Sequence, residues 1–166
     1  LWLAEGIAVA LEEELFNIVW ANWNLAGFVY TASRGEWRNV TKRMIGGDDD
    51  TVLAYDWTGI SMGGEPKQVR KPKPTLLDLY QYTARPYVDE LAHMAYGFAI
   101  YGMEADPEGL RKLLDLLQAE YQKQWATGGV FMPKPELMGT LVEQAFGKDF
   151  EQKFKQFWAD PPKRPK

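Results

Sequence analysis

Apolar residues recur every three or four positions along much of this chain, and this spacing constrains its fold more than any other feature. Side chains so spaced share one face of an α-helix. One series comprises Leu3, Ile7, Leu11, Leu15, Ile18 and Val19. A second comprises Leu110, Leu113, Leu114, Leu117 and Tyr121. The sequence therefore predicts a mainly α fold with five to six helices.

Helix start signals support this fold class. In Asp106-Pro107-Glu108, the aspartate can cap free amides, the proline fits the first helical position and the glutamate suits the first turn. Glycine is the usual stop signal, because it readily adopts the backbone conformation that ends a helix. The same reasoning predicts helices that start at Thr75, Pro86, Pro135 and Asp149, of which the second ends at Gly102 and the third at Gly147.

The chain is predicted to form a single helical domain over residues 1–158. Its parts are a long helix or two abutting helices (1–33), an irregular insertion (34–74) and a helical bundle (75–158). Within the insertion, residues 51–55 fit either a short strand or an extended segment, and the prolines at 72 and 74 enforce an extended backbone. The Pro- and Lys-rich tail, residues 159–166, is expected to be disordered.

Composition excludes several classes of function. The 166 residues include no cysteine and one histidine, His93, so disulfides, thiolate metal sites and any multi-histidine zinc site built from this chain alone are excluded. The net charge of −4 argues against a nucleic-acid partner. The most apolar stretch, residues 16–30, contains asparagines and is shorter than the roughly 20 residues of a spanning helix, so no transmembrane segment is expected. An extracytoplasmic and a cytoplasmic location both remain open.

Three features carry both a chemical and a structural interpretation. The acidic triplet at residues 48–50 could bind a hard cation, but it lacks the spacing of a calcium loop, and a solvated turn is favoured. His93 has apolar neighbours, which favours a packed core histidine over a catalyst. Four cations could hold an anion or an acidic partner, although a solvated Pro-rich linker is favoured: Lys67, Arg70, Lys71 and Lys73.

Glu5 lies among apolar residues in the segment LWLAEGIA. A carboxylate on an apolar helix face must be paired, capped or metal-bound, although Glu5 could also be one more exposed acid. Residues 2–8 resemble the W-L-x-E-G-hydrophobic-A signature of gluzincin metallopeptidases, the peptidase MA-like group. Residues 75–79 resemble the segment that follows the variable insertion of that family, and residues 95–102 and 107–114 resemble its Tyr-rich helix and the Leu-rich helix that follows. Residues 141–147 and 150–158 are similar to its closing helices.

The resemblance implies that Glu5 is the third ligand of a catalytic zinc ion. In that family the glutamate follows, by about 20 residues, a helix with H-E-x-x-H, whose histidines bind zinc and whose glutamate is the general base. The resemblance also implies that Tyr96 or His93 stabilises the oxyanion. No H-E-x-x-H occurs in this sequence, so a missing N-terminal half or a partner chain has to supply it.

Two functions are therefore expected. The first is the C-terminal part of a zinc-dependent metallopeptidase-like protein acting on peptides, in which this chain supplies the third zinc ligand and a wall of the substrate cleft. Zinc is expected in the complete protein but not in this chain alone, which is expected to be inactive. The second is a non-catalytic helical interaction module, or a subunit of a larger assembly, that binds its partner through the aromatic-rich residues 2–30.

Overall fold

The structure, a computed structural model, describes residues 2–16, 37–56, 67–81, 89–129 and 133–162. Its helices are α1 (Trp2–Phe16), α2 (Trp37–Thr41), α3 (Leu76–Gln81), α4 (Asp89–Glu104), α5 (Pro107–Ala126), α6 (Pro135–Phe146) and α7 (Phe150–Ala159). A π-helical turn, Lys42–Gly46, follows α2, and the strands β1 (Thr51–Asp56) and β2 (Lys67–Pro72) form a small sheet. The predicted mainly α fold is confirmed. Within these ranges, no helix has the length and apolarity needed to cross a membrane.

Some predictions fall outside the described residues. They are the continuation of the first helix over residues 17–33, the helix start at Pro86 and the last part of the tail, residues 163–166. The first helix is therefore described as α1 alone, and the helix expected from Pro86 is described from Asp89 onward.

Helix α4 forms the centre of the described core. Every residue from Ala92 to Gly102 is buried, because α1, α2, α3, α5 and α7 all pack against it. A helix that is apolar on all sides is stable only when it is surrounded in this way. Its Phe98 ring lies 5.0 Å from that of Trp2 in α1 and 5.5 Å from that of Phe146 in α6. Helix α4 therefore packs against both the first helix, α1, and the later helix α6.

The end of α4 differs from the prediction. The helix continues to Glu104, so the expectation that it stops at Gly102 is wrong. Gly102 lies instead against α5, where an added Cβ atom would come within 3.0 Å of the Cβ of Leu110. The glycine allows two helices to approach closely, which a sequence pattern alone does not distinguish from a helix stop.

The predicted starts of the later helices are confirmed. Asp106 caps α5, since its Oδ1 accepts a hydrogen bond of 2.8 Å from the backbone N–H of Gly109. Helices α6 and α7 begin at Pro135 and Phe150, next to the predicted positions. Gly147 ends α6 with a φ of +95°, a conformation that L side chains rarely adopt. A side-chain cap therefore marks the start of α5, and a first-position proline and a positive-φ glycine mark the two ends of α6, whereas Asp149 makes no side-chain cap at the start of α7.

The predicted irregular insertion, residues 34–74, contains regular structure over much of its described part. Besides α2 and the π turn, β1 and β2 pair antiparallel, with Thr51 opposite Pro72 and Asp56 opposite Lys67. Of the two alternatives for residues 51–55, the strand is correct. Pro72 lies at the end of β2, where its missing N–H interrupts little of the ladder.

Candidate functional site

The signature segment forms the first two turns of α1. Trp2 and Leu3 point into the core, and Gly6, one turn later, is also buried. Glu5 lies on the flank between the buried face and solvent and is half-buried. Within the described part of the chain, no hydrogen bond or ion pair joins its carboxylate to another residue. The apolar residues of the signature thus bury one side of the helix and leave Glu5 available beside it.

Gly6 marks a very close crossing of α1 and α4. A Cβ atom at this position would lie 2.2 Å from the carbonyl oxygen of Ala95 and 2.5 Å from its carbonyl carbon. Any larger residue would push the two helix backbones apart, so only glycine permits this packing. The contact sets the rotation of α1 about its axis and therefore the direction of Glu5, the preceding residue.

The outward side of α1 carries an apolar stripe. Its members are separated by four, three and four residues, so they share one helix face. We call Ala4, Ala8, Leu11 and Leu15 the outer α1 stripe. All four are exposed, Leu15 by 70% of its surface. Glu5 follows Ala4 in sequence and borders this stripe.

Tyr96, a candidate for oxyanion stabilisation, is fully buried in α4. Its hydroxyl donates a hydrogen bond to the carboxylate of Glu13 in α1. Glu13 lies eight residues after Glu5, which is about 12 Å along the helix axis. The fold therefore brings Tyr96 to Glu13 and not to Glu5.

His93, the other candidate, is a packed residue of the core. Its Nδ1 shares a hydrogen bond of 3.2 Å with Oγ1 of Thr41, and its ring lies 4.2 Å from the ring of Trp37. Burial, with a smaller contribution from the positive charge of Arg43, lowers the pKa of His93 to about 3. The imidazole is therefore neutral at physiological pH and enclosed by protein.

Sequence reasoning did not single out Glu13 as a functional residue, although a signal for it exists. Trp2, Gly6, Val9 and Glu13 are separated by four, three and four residues, and the first three are buried. An acid that continues a buried stripe requires a polar partner in the core. The partner, Tyr96, is 83 residues away in sequence, and no local pattern identifies it.

Arg38 was also not predicted. Its guanidinium binds both carboxylate oxygens of Glu104, at 2.7 and 2.6 Å, and donates to the carbonyl of Pro162 at 3.0 Å. It also lies 5.8 Å from the centre of the Trp158 ring. This planar group therefore ties α2 to the end of α4 and to the segment after α7.

Three of the four candidate cations form hydrogen bonds or ion pairs with other residues. Lys71 forms an ion pair of 3.0 Å with Glu90, and Lys73 donates to the carbonyl oxygen of Gly47 at 2.6 Å. Arg70 donates to Oγ1 of Thr51 across the sheet at 3.2 Å. Residues 67–72 therefore form a paired strand and not a linker; Lys71 and Lys73 are half-buried, and Arg70 stays exposed.

The described residues contain no cluster of potential metal ligands. Across the described ranges, no group of three or more His, Asp or Glu side chains lies close enough to hold an ion. Glu5 therefore stands as a single potential donor, whereas a protein zinc site needs at least three.

Comparison with protein-family models, with curated proteins and with solved structures finds no match for this chain.

Proposed function

We propose that this chain is the C-terminal, ligand-bearing part of a zinc-dependent metallopeptidase-like protein, in which Glu5 is the third zinc ligand. The observation that carries the proposal is the position of Glu5. It belongs to the gluzincin-like signature, it is half-buried, and it has no partner within the described part of the chain. A half-buried carboxylate is costly unless a cation or a hydrogen-bond donor reaches it.

The outer α1 stripe supports the same proposal. Leu11 and Leu15 are 42% and 70% exposed, and Ala4 and Ala8 offer small side chains beside Glu5. Small and apolar residues on one face are suited to close packing of a second helix. A helix that covered the stripe would bring its own side chains next to the Glu5 carboxylate, where the histidines of an H-E-x-x-H segment are required.

In this proposal the chain binds and positions, while another segment supplies the remaining chemistry. Glu5 is held in direction by Gly6 against α4, and α1 forms one wall of a cleft for a peptide substrate. His93 does not add a second ligand, because it is buried and bonded to Thr41. One carboxylate is too few for a zinc site, so the histidines and the general base come from outside this sequence.

The test uses the natural protein with everything encoded upstream of Leu1. We expect H-E-x-x-H about 20 residues before Glu5 and one zinc ion per complete protein. Glu5→Gln should weaken zinc binding by more than about 100-fold, because even outer-shell substitutions cost 10–100-fold. Glu12→Gln is the matched control, since it removes the same charge two turns later on the same flank of α1.

Two results would contradict the proposal. One is an upstream sequence without paired histidines. The other is equal zinc content, by elemental analysis, in the wild type and the Glu5→Gln variant. If Glu12→Gln lost zinc to the same extent as Glu5→Gln, the effect would reflect the general charge of α1 and not ligation.

A non-catalytic interaction module is the second candidate. The observation that favours it is the exposure of large apolar side chains at the end of α1, 70% for Leu15 and 68% for Phe16. The aromatic Trp2, by contrast, is buried in the core. Light scattering on the 166-residue chain tests this candidate. We expect copies of the chain to associate, and we expect Leu11→Glu and Leu15→Glu to abolish this association. A strictly monomeric wild-type chain would exclude association between copies through the outer α1 stripe.

A further inference from the structure

A cleft separate from α1 lies between the acidic turn at residues 48–50, the end of β2 and α7. Its volume is 590 Å³, which falls within the range of small-molecule binding sites. Loop, strand and helix each contribute to its walls, so its shape depends on the packed fold. We call it the α7 cleft.

The floor of the α7 cleft is apolar. Ile45 from the π turn, Met94 from α4 and Phe154 from α7 line it, and each is at least 95% buried. These side chains belong to the hydrophobic core and are held by it. They offer almost no surface to a ligand, which would instead cover the half-buried Pro74 and Leu76 and the exposed Ala159 in the wall of the cleft.

The rim of the cleft is charged and has an excess of acid. Four carboxylates (Asp48, Asp49, Asp50 and Glu151) and two ammonium groups (Lys73 and Lys155) line it, which leaves a net charge of −2. Lys155 is paired with Glu151 at 2.9 Å, and Lys73 is anchored to the carbonyl oxygen of Gly47. Within the described part of the chain, the three aspartate side chains form no hydrogen bond or ion pair.

We propose that the α7 cleft binds a basic peptide segment through an arginine or lysine side chain. Such a side chain is a flexible apolar stem with a cationic end. The stem lies along Pro74, Leu76 and Ala159, and the cation meets the unpaired carboxylates of the acidic turn. Charge complementarity therefore selects this occupant over an acidic or a neutral segment. This inference does not depend on the proposed role of Glu5.

The experiment measures peptide binding to the full 166-residue chain by isothermal titration calorimetry at low salt. The probe is the tripeptide acetyl-Leu-Arg-Leu-amide, and its matched control replaces arginine with citrulline, which has nearly the same shape and no charge. We expect the arginine peptide to bind about tenfold more tightly. Equal binding of both peptides would overturn the proposal, and so would binding of neither.

Charge variants locate the site. The triple variant Asp48→Asn, Asp49→Asn, Asp50→Asn should reduce binding of the arginine peptide about tenfold. A matched control removes three acidic charges elsewhere on the surface, through Asp115→Asn, Glu136→Gln and Glu143→Gln. If the control weakened binding equally, the attraction would be that of the whole acidic protein, and the proposal would fail.

A steric variant tests the cleft without changing any charge. Gln156 is exposed and lines the cleft, so Gln156→Trp should obstruct it and prevent binding while the fold is retained. Unchanged binding in this variant would overturn the proposal. Titration with Ca²⁺ and sedimentation of the free chain cover the other occupants. If Ca²⁺ bound at the acidic turn and the peptide did not, the occupant would be a cation. If the free chain self-associated and Gln156→Trp abolished the association, the occupant would be a second copy of the chain. Either result would overturn the proposal.

Discussion

Replacing Gly6 with alanine tests the close crossing of α1 and α4. The new Cβ would lie 2.2 Å from the Ala95 carbonyl oxygen, far inside van der Waals contact, and the obstacle is backbone, which cannot rotate away. Overpacking of this kind costs about 1–3 kcal/mol or more, and the backbone clash places this site at the upper end. Alanine recovers about 1 kcal/mol through its better helix propensity. We therefore expect a net loss of about 2 kcal/mol in the free energy of unfolding.

The measurement is urea unfolding of the full chain, followed by far-UV circular dichroism, with thermal unfolding alongside. A loss of about 2 kcal/mol corresponds to a melting temperature lower by about 4–8 °C for a chain of this length. Gly139→Ala is the matched control. Its added Cβ would lie 3.8 Å from the Tyr80 ring, an ordinary contact, so helix propensity should leave it neutral or slightly stabilised. If the two variants were equally stable, the close crossing at Gly6 would be refuted.

Three further predictions concern the buried polar groups. The pKa of His93 is lowered to about 3 in the folded chain, so the unfolded chain binds more protons between that value and 6.5, and stability falls as the pH falls through this window. From pH 7 to 5 we expect His93 to lower the free energy of unfolding by about 2 kcal/mol, and this loss should be absent in His93→Gln. Urea unfolding that gave the same pH dependence for the wild type and for His93→Gln would contradict this. Tyr96→Phe removes the hydroxyl that donates to Glu13 and should lower the free energy of unfolding by about 1–3 kcal/mol. A double-mutant cycle with Glu13→Gln should show coupling between the two substitutions, and strictly additive losses would contradict this. Trp158→Phe removes the hydrogen bond of 3.1 Å from Nε1 to the carbonyl of Gly97 and also leaves a cavity at this fully buried position, so it should cost about 2–4 kcal/mol in urea unfolding; an unchanged midpoint would mean that neither the bond nor the indole packing contributes.

Helix starts were predictable because capping is local. Thr75 exchanges hydrogen bonds with Asp78, from the Asp78 backbone N–H to Oγ1 at 3.2 Å and from the Thr75 backbone N–H to Oδ2 at 2.7 Å. The groups involved are three residues apart, so the sequence contains the whole interaction. The same holds for Asp106 and Gly109 at the start of α5.

Glycines were less predictable, because their role depends on what approaches them. Gly147 ends a helix with a positive φ, as predicted, whereas Gly102 lies inside a helix, against Leu110. Both follow an apolar periodic segment, and the sequence presents them alike. Only the position of the neighbouring helix distinguishes a stop from a close contact.

The candidate site divides in the same way. The gluzincin-like pattern singled out Glu5, and the structure places this residue half-buried beside the outer α1 stripe, while its role as a ligand stays a prediction. The pattern did not reveal that Tyr96 reaches Glu13 or that Arg38 binds Glu104. Those partners are separated by 83 and 66 residues, so no spacing rule connects them.

The sequence by itself determined the mainly helical class and the starts of the locally capped helices α3 and α5, because each depends on residues a few positions apart. The tertiary structure alone decided that Gly6 is the crossing point of α1 and α4, that His93 is enclosed in the core and that the α7 cleft exists. Each of these depends on which surfaces meet, and that depends on close packing between segments distant in the chain.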